Sequence, residues 1–275
     1  MKNVAIIGCG YVGSEVTRYW KTKGFTVTVT TTKPDRIPEL ETIADRVLVV
    51  RGDDPNGLRT VLQNQEVIVL SIGAKTREES IYRNTYLTTA ETLVHLLPEF
   101  PEVRQIIYTG VYSLYGDRDG DLVDESFPVS PTSIRTQILW ETENILLSAT
   151  TETCQICVLR LGGIYGRDRE IARIFKRVAG QTLAGKGENI SNWVHLEDIV
   201  SAIDFASEKQ LAGIYNLVCD EQITRRELLD RVCQTHHLSP VSWDEQEIDY
   251  PYNVRVSTQK IKDAGFQFLH PQLLV

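Results

Sequence analysis

The stretch Val4-Ala5-Ile6-Ile7-Gly8-Cys9-Gly10-Tyr11-Val12-Gly13 decides the fold of this chain. Four apolar residues with the pattern of a short strand lead into G-x-G-x-x-G, and a segment with helical period follows. In such a strand–loop–helix unit, Gly8 makes the tight turn, Gly10 lets the backbone approach a pyrophosphate, and Gly13 packs the helix against the strand. The context therefore predicts a dinucleotide-binding loop that also includes Tyr11 and Val12.

Short β-rich runs alternate with helical patterns through the first two thirds of the chain. The predicted strands are Val4–Ile7, Thr26–Thr31, Val47–Val50, Val67–Ser71, Gln105–Thr109 and Gln155–Leu161. The predicted helices between them include Gly13–Lys23, Ile81–Leu97 and Ser133–Ser148. This alternation is typical of an α/β protein with a doubly wound parallel sheet, the Rossmann fold, in which ligands bind beyond the carboxyl ends of the strands.

The pattern becomes less regular after Leu161, although a helix over Glu197–Ser207 and a strand over Gly213–Val218 are still predicted. We expect residues 1–163 to form the dinucleotide-binding Rossmann domain, with its sheet completed by about residues 194–218. Residues 164–193 and 219–275 are expected to form a smaller, interleaved C-terminal region on the substrate side.

Composition excludes several classes of function. The 275 residues carry a net charge of -8, which disfavours nucleic acid and anionic membranes as partners, and no apolar run is long enough to span a bilayer. The five cysteines are an odd number, and no signal-peptide pattern precedes Val4, so the expected compartment is the cytoplasm. Cys154 and Cys157 have C-x-x-C spacing but lie in an apolar run, which indicates two buried strand cysteines. No metal site is predicted, because no second ligand pair accompanies them.

The end of the second predicted strand indicates which dinucleotide binds. An NAD-binding protein carries an Asp or Glu there, whereas this chain reads Thr30-Thr31-Thr32-Lys33-Pro34-Asp35-Arg36. Hydroxyls and cations can bind a 2′-phosphate, so we expect NADP rather than NAD, a solvated loop being the competing interpretation. The residues assigned to the cofactor here and in later loops are Thr31, Thr32, Lys33, Arg36, Asp53 (facing the adenine), Ser71, Ile72 and Gly73.

Several later motifs are informative when taken together: Tyr108-Thr109-Gly110, Leu114-Tyr115-Gly116-Asp117, Val123-Asp124-Glu125, Leu159–Gly166, Trp193–Asp198 and Tyr215-Asn216-Leu217. With these motifs the chain resembles the extended short-chain dehydrogenases/reductases, the NAD-dependent epimerase/dehydratase group. The resemblance covers nearly the whole chain. It implies a Rossmann domain with a small C-terminal substrate domain.

The chain departs from that family at the catalytic pair. The family uses Tyr-x-x-x-Lys on the helix after the fifth strand, and aligning that helix by Glu141 places Ser133 and Gln137 at the two positions. A serine beside a neutral amide cannot replace a tyrosine whose pKa a lysine lowers. The chain therefore resembles the atypical branch of the superfamily, which keeps the cofactor site and lacks the active-site pair.

Replacement groups are sought in the loops that follow the strands. Tyr112, Ser113 and Tyr115 are the candidate catalytic residues, with Tyr165 as a further candidate acid, although packing explains such aromatic residues equally well. His195 is interpreted as structural, with Asp198 placed to cap or orient its helix. Arg160 and the basic residues Arg167, Arg169 and Arg173 could orient an anionic substrate or form a solvated face.

Two functions remain open. The first is an NADP-dependent oxidoreductase or epimerase/dehydratase-like enzyme that acts on a small polar substrate through a non-standard acid. The second is a non-catalytic dinucleotide-binding regulatory or redox-sensor protein. The helices that begin near Ile81 and Ser133 are candidates for a homodimer contact.

Overall fold

The computed structural model describes residues 2–246, 248 and 252–275. The strands are β1 (Asn3–Ile7), β2 (Thr26–Thr31), β3 (Arg46–Val49), β4 (Val67–Leu70), β5 (Gln105–Val111), β6 (Asp117–Val123), β7 (Gln155–Leu161), β8 (Gly163–Tyr165), β9 (Thr182–Leu183), β10 (Ile190–Ser191), β11 (Trp193–His195), β12 (Gly213–Leu217), β13 (Ile223–Thr224), β14 (Ser242–Trp243) and β15 (Asn253–Val256). The helices are α1 (Tyr11–Thr22), α2 (Ile37–Leu40), α3 (Pro55–Leu62), α4 (Glu79–Tyr82), α5 (Thr88–Leu96), α6 (Ile134–Ser148), α7 (Ile171–Phe175), α8 (Leu196–Lys209), α9 (Arg225–Thr235) and α10 (Gln259–Asp263).

The chain divides into two compact units. The first unit comprises Met1–Val111, Ser133–Arg160 and Val200–Tyr215, and the second comprises Tyr112–Thr132, Leu161–Ile199 and Asn216–Val275.

A seven-stranded parallel sheet organises the first unit, in the order β12-β7-β5-β4-β1-β2-β3. Strand β1 pairs with β2 on one side and with β4 on the other, so the winding direction reverses at β1. Such a reversal opens a crevice at the carboxyl ends of the two central strands. The structure confirms the predicted α/β class and the doubly wound parallel sheet.

The core of the first unit forms because the central strands are apolar on both faces. Strand β4 is buried at every position, and the side chains of Ile68 and Leu70 pack with Leu93 and Leu96 of α5 and with Leu58 of α3. Continuous apolar strands of this kind are expected where helices cover both faces of a parallel sheet.

The second unit is built from short strand pairs and has its own apolar clusters. One cluster contains Tyr115, Val123 and Val254, and another contains Tyr165, Ile171 and Leu228. Residues 112–132, which we assigned from the sequence to the first domain, lie in this unit because β6 pairs in parallel with β15. A pairing between residues so far apart in the chain leaves no local sequence signal.

The predicted helix over Ile81–Leu97 is interrupted. Helix α4 ends at Tyr82, a π-helical turn covers Arg83–Leu87, and α5 begins at Thr88. The remaining predicted helices and strands all occur, with ends that agree with the prediction to within two residues. Within the described residues, no helix has the length and apolar character required to span a membrane.

Candidate functional site

A cleft of about 340 Å³ lies in the first unit, within the volume range of small-molecule sites. Its lining residues follow the ends of β1, β2, β3 and β4. Ten predicted cofactor residues line it: Gly8, Gly10, Thr31, Thr32, Lys33, Arg36, Asp53, Ser71, Ile72 and Gly73. Three others, Tyr11, Val12 and Gly13, do not line the cleft and form the first turn of α1.

The physical reason for glycine differs among the three glycine positions of the motif. A Cβ atom on Gly8 would lie 2.4 Å from the carbonyl oxygen of Ser71, and one on Gly13 would lie 2.6 Å from that of Gly8. A Cβ atom on Gly10 would meet no atom within 4 Å. The protein itself therefore requires glycine at positions 8 and 13, whereas the space beside Gly10 remains open for a ligand.

The start of α1 is suited to an anion. Gly10 is its N-cap residue and supplies no side-chain acceptor, and no acidic side chain lies in the first turn. The first N–H groups of a helix lack partners inside the helix and carry the positive end of its dipole. A pyrophosphate group would fit this helix start and the open space at Gly10.

The polar residues at the end of β2 have unequal freedom to bind a phosphate. The Thr31 hydroxyl accepts a hydrogen bond from the Lys33 backbone N–H at 3.1 Å. The Arg36 guanidinium donates to the Cys9 carbonyl oxygen at 2.5 Å and to both carboxylate oxygens of Glu39. Within the described residues, the exposed Lys33 ammonium makes no ion pair, so of these two cations at the end of β2 it has more freedom than Arg36 to bind a further anion.

Asp53 lines the cleft in the loop after β3 rather than at the end of that strand. Its carboxylate receives two hydrogen bonds of 2.9 Å from Arg51, which holds the pKa of Asp53 below its usual value. Both charges of this pair lie beside the cleft.

Further residues after β4 also line the cleft, which we did not predict from the sequence. Lys75, Asn84 and Thr85 also line the cleft, and the latter two lie in the π-helical turn. The phenol oxygen of Tyr86, in the same turn, accepts a hydrogen bond from the Ala74 backbone N–H at 3.2 Å. Single π-helical turns often occur at functional sites, but a regular apolar period through this stretch conceals one.

The candidate acids Tyr112 and Tyr115 lie in a 3-10 turn that follows β5, together with Ser113. Tyr115 is fully buried and its phenol donates to Asn216 Oδ1 at 2.9 Å, an arrangement that suits packing. Tyr112 is partly exposed and its ring contacts that of Tyr252 edge-on. Burial raises the pKa of Tyr112 above its usual 10, and Tyr252 raises it further, while Asn192 opposes the shift.

Two other candidate acid–base residues have structural partners. Tyr165 is buried, its phenol lies 3.4 Å from the Gln272 carbonyl oxygen, and burial raises its pKa to about 12. His195 Nδ1 accepts the Glu197 backbone N–H at 3.2 Å and so caps the start of α8. Asp198 does not cap this helix start, because its carboxylate accepts hydrogen bonds from the backbone of residues 269 and 270.

Ser133 and Gln137, the residues that we expected at the positions of the family's catalytic pair, both make hydrogen bonds with residues of α6. Ser133 is exposed and is the N-cap of the helix, with its hydroxyl accepting the Thr136 backbone N–H at 3.2 Å. Thr136 Oγ1 accepts the Ser133 backbone N–H in return, which completes a capping box. Gln137 donates to Glu141 Oε1 at 2.9 Å. Helix formation alone accounts for the residue types at these positions.

Arg160 is not available to orient a substrate, contrary to one expectation from the sequence. Its side chain is 3% exposed and its Nη2 atom lies 2.8 Å from a carboxylate oxygen of Glu143, which is 2% exposed. The other basic candidates, Arg167, Arg169 and Arg173, are exposed.

Comparisons with known proteins agree with the fold described above. The chain is 28% identical to Protein YeeZ of Escherichia coli (strain K12), covering 100% of this chain and 98% of that protein. A functionally unknown conserved protein from Silicibacter pomeroyi DSS superposes with a TM-score of 0.79 at 21% identity, covering 99% of this chain and 95% of the other. The UDP-glucose 4-epimerase of Thermus thermophilus, solved as a complex with NAD, superposes with a TM-score of 0.79 at 19% identity, covering 97% and 94%. The family model described as "NAD dependent epimerase/dehydratase family" matches residues 4–217, and the chain therefore belongs to that family.

Proposed function

We propose that this protein binds NADP in the cleft of its first unit and acts as an oxidoreductase or epimerase on a small polar substrate. The proposal rests on one combination of features in the cleft. The space beside the Gly10 backbone is open, and the exposed Lys33 lies where an NAD-binding protein would carry an acid. The pyrophosphate of NADP would bind at the start of α1, and its 2′-phosphate would bind beside Lys33 and Thr32.

The residues of the cleft would contribute to cofactor binding in different ways. Lys33 supplies a mobile positive charge, while Arg36 stiffens the loop because it joins Glu39 to the Cys9 carbonyl oxygen. Bound NADP would supply a nicotinamide ring that accepts or returns a hydride. Ser71, Ile72 and Gly73 would form the wall of the cleft at the end of β4.

The acid of such an enzyme would be non-standard, as in the atypical branch of the superfamily. Ser133 and Gln137 are both used within α6, and Tyr115 is buried in a hydrogen bond, so we keep Tyr112 as the candidate. Tyr112 would be protonated at neutral pH, as an ordinary tyrosine is, and burial raises its pKa further above that range. Its role would be to donate a proton or a hydrogen bond rather than to accept one.

A second candidate function is a dinucleotide-binding regulatory or redox-sensor protein without turnover. The observation that favours it is the capping box at Ser133, because a residue that caps a helix is not available as the family's acid. Both functions require the same cofactor site.

Calorimetric titration of the full chain with NADPH and with NADH tests the cofactor proposal. We expect NADPH to bind more tightly. Lys33→Ala should weaken NADPH by about 10- to 100-fold, the value of a charge-assisted hydrogen bond, and should change NADH little. Lys209→Ala removes the same charge at an exposed position outside the cleft and is the matched control. Equal affinities for the two dinucleotides, or an equal loss in both variants, would reject the preference for NADP.

A further inference from the structure

Two histidines and a glutamate meet in the second unit, whereas the residues assigned to the cofactor belong to the first unit. They are His195 at the end of β11, Glu197 in the first turn of α8, and His270 near the C-terminus. One ligand atom from each of these side chains lies within 4.8 Å of the other two. Imidazole nitrogens and carboxylate oxygens are ligands of Zn²⁺, and two histidines with one glutamate form a known type of zinc site.

The distances between these atoms suit a single metal ion. His270 Nε2 lies 2.7 Å from Glu197 Oε2, and His195 Nδ1 lies 3.9 Å from the same oxygen. Two ligands of a tetrahedral zinc ion, each bound at about 2.1 Å, are about 3.4 Å apart. The observed values lie on either side of this separation, so small side-chain rotations would bring the three atoms onto one ion.

His195 is in the form that binds metals. Its Nδ1 atom accepts a backbone N–H and therefore carries no proton. A metal ion would take over the lone pair that now accepts this hydrogen bond.

The backbone that carries His270 is held beside the start of α8. The fully buried carboxylate of Asp198 accepts the Leu269 N–H at 2.6 Å and the His270 N–H at 3.1 Å. The two imidazole rings consequently lie with their centroids 3.8 Å apart. Part of the entropic cost of bringing the two histidines together is thus met before a metal ion arrives.

The cluster is open on one side. The Glu197 side chain is 66% exposed and that of His270 is 20% exposed, whereas His195 is nearly buried. We propose that His195, Glu197 and His270 bind one Zn²⁺ ion, with water as the fourth ligand. From the sequence we expected no metal site, because no second ligand pair accompanies Cys154 and Cys157. His270 is 73 residues from Glu197 in the chain, and only the tertiary structure brings them together.

The test is a calorimetric titration of the untagged, metal-free full chain with Zn²⁺. We expect one saturable site per chain. The variants are His270→Ala, Glu197→Gln and His195→Asn, the last of which keeps an N-cap acceptor for α8. Each should weaken Zn²⁺ binding by about 100-fold or more, because even outer-shell changes cost 10- to 100-fold. His95→Ala removes an exposed histidine of α5 and should leave the affinity unchanged.

Thermal unfolding supplies an independent measurement, since a ligand that binds only the folded state raises the melting temperature. Zn²⁺ should raise it for the wild type and for His95→Ala, and should not do so for the three ligand variants.

Absence of a saturable site in the wild type would overturn the proposal. Equal Zn²⁺ affinity in wild type and His270→Ala would also overturn it, since the metal would then be bound elsewhere, for example by thiols. Circular dichroism would identify any variant that fails to fold, and Glu197→Gln, at an exposed position, keeps the test decisive.

Discussion

Arg160 Nη2 lies 2.8 Å from a carboxylate oxygen of Glu143, and neither side chain is more than 3% exposed. The Nε atom of Arg160 donates to the same oxygen at 3.1 Å. This pair joins β7 to α6 within the first unit, beneath Gly110, where a Cβ atom would lie 2.7 Å from Glu143 Oε1. Burial raises the pKa of Glu143 and Arg160 lowers it, so the ionised carboxylate depends on its partner.

Arg160→Met should lower the free energy of unfolding by about 3 to 5 kcal/mol, because it leaves the Glu143 charge buried without its partner. Urea denaturation measures this change. The double variant with Glu143→Leu should recover much of the loss, since it removes the second buried charge. Arg59→Met breaks the exposed ion pair with Glu99 and should have little effect. Equal effects at positions 160 and 59 would show that burial does not determine the value of the pair.

Gly10→Val should abolish dinucleotide binding and leave the protein folded, because the new side chain begins in space that no protein atom occupies. Gly8→Ala should instead lower the free energy of unfolding by about 2 kcal/mol. Its Cβ atom would meet the Ser71 carbonyl oxygen, and its φ of +92° is unfavourable for alanine. Denaturation and NADPH titration of both variants distinguish the two effects. Undiminished binding by Gly10→Val would mean that the dinucleotide binds elsewhere.

Ser133→Ala should cost about 1 kcal/mol of stability, the usual value of an N-cap, and Gln137→Ala should cost less. Neither should change NADPH affinity, and both should change any turnover only modestly. The measurement is denaturation alongside a turnover assay with whichever carbonyl compound or sugar nucleotide proves to be a substrate. A large loss of turnover in Ser133→Ala without loss of stability would assign catalysis to this serine.

Tyr112→Phe should lower turnover by about 100-fold or more if this phenol is the acid. Because the folded pKa of Tyr112 is raised above about 10, the phenol stays protonated between about pH 6 and 9, and its ionisation should begin only above that range. We therefore expect no step in the pH–rate profile from this group near neutrality.

Tyr115→Phe serves as the comparison, with an expected loss of stability through the Asn216 hydrogen bond. Unchanged turnover in Tyr112→Phe would remove it as a catalytic residue. Micromolar NADPH binding with no turnover on any substrate would favour the sensor.

That Gly8, Lys33 and Ser71 would line one cleft was largely predictable, because they follow strand ends that are recognisable locally. These residues are far apart in the chain, yet each lies in the first loop segment after a parallel strand, and parallel strands end at one edge of the sheet. Which polar groups of the cleft already bond to other parts of the protein was not predictable from the sequence. The bonds of Arg36 to Glu39 and to the Cys9 carbonyl oxygen depend on where the loop folds back, which single residues do not specify.

The sequence by itself determined the doubly wound sheet, the glycine loop and the absence of an acid at the end of β2, because hydrophobic period, glycine spacing and residue type are local properties. Tertiary structure alone decided the pairing of Arg160 with Glu143, the placement of residues 112–132 in the second unit, and the meeting of His195 with His270. Each of these depends on a contact between segments that the chain brings together only when its apolar faces pack. Such contacts have no period and no fixed spacing, so they leave no trace in the sequence until the fold is known.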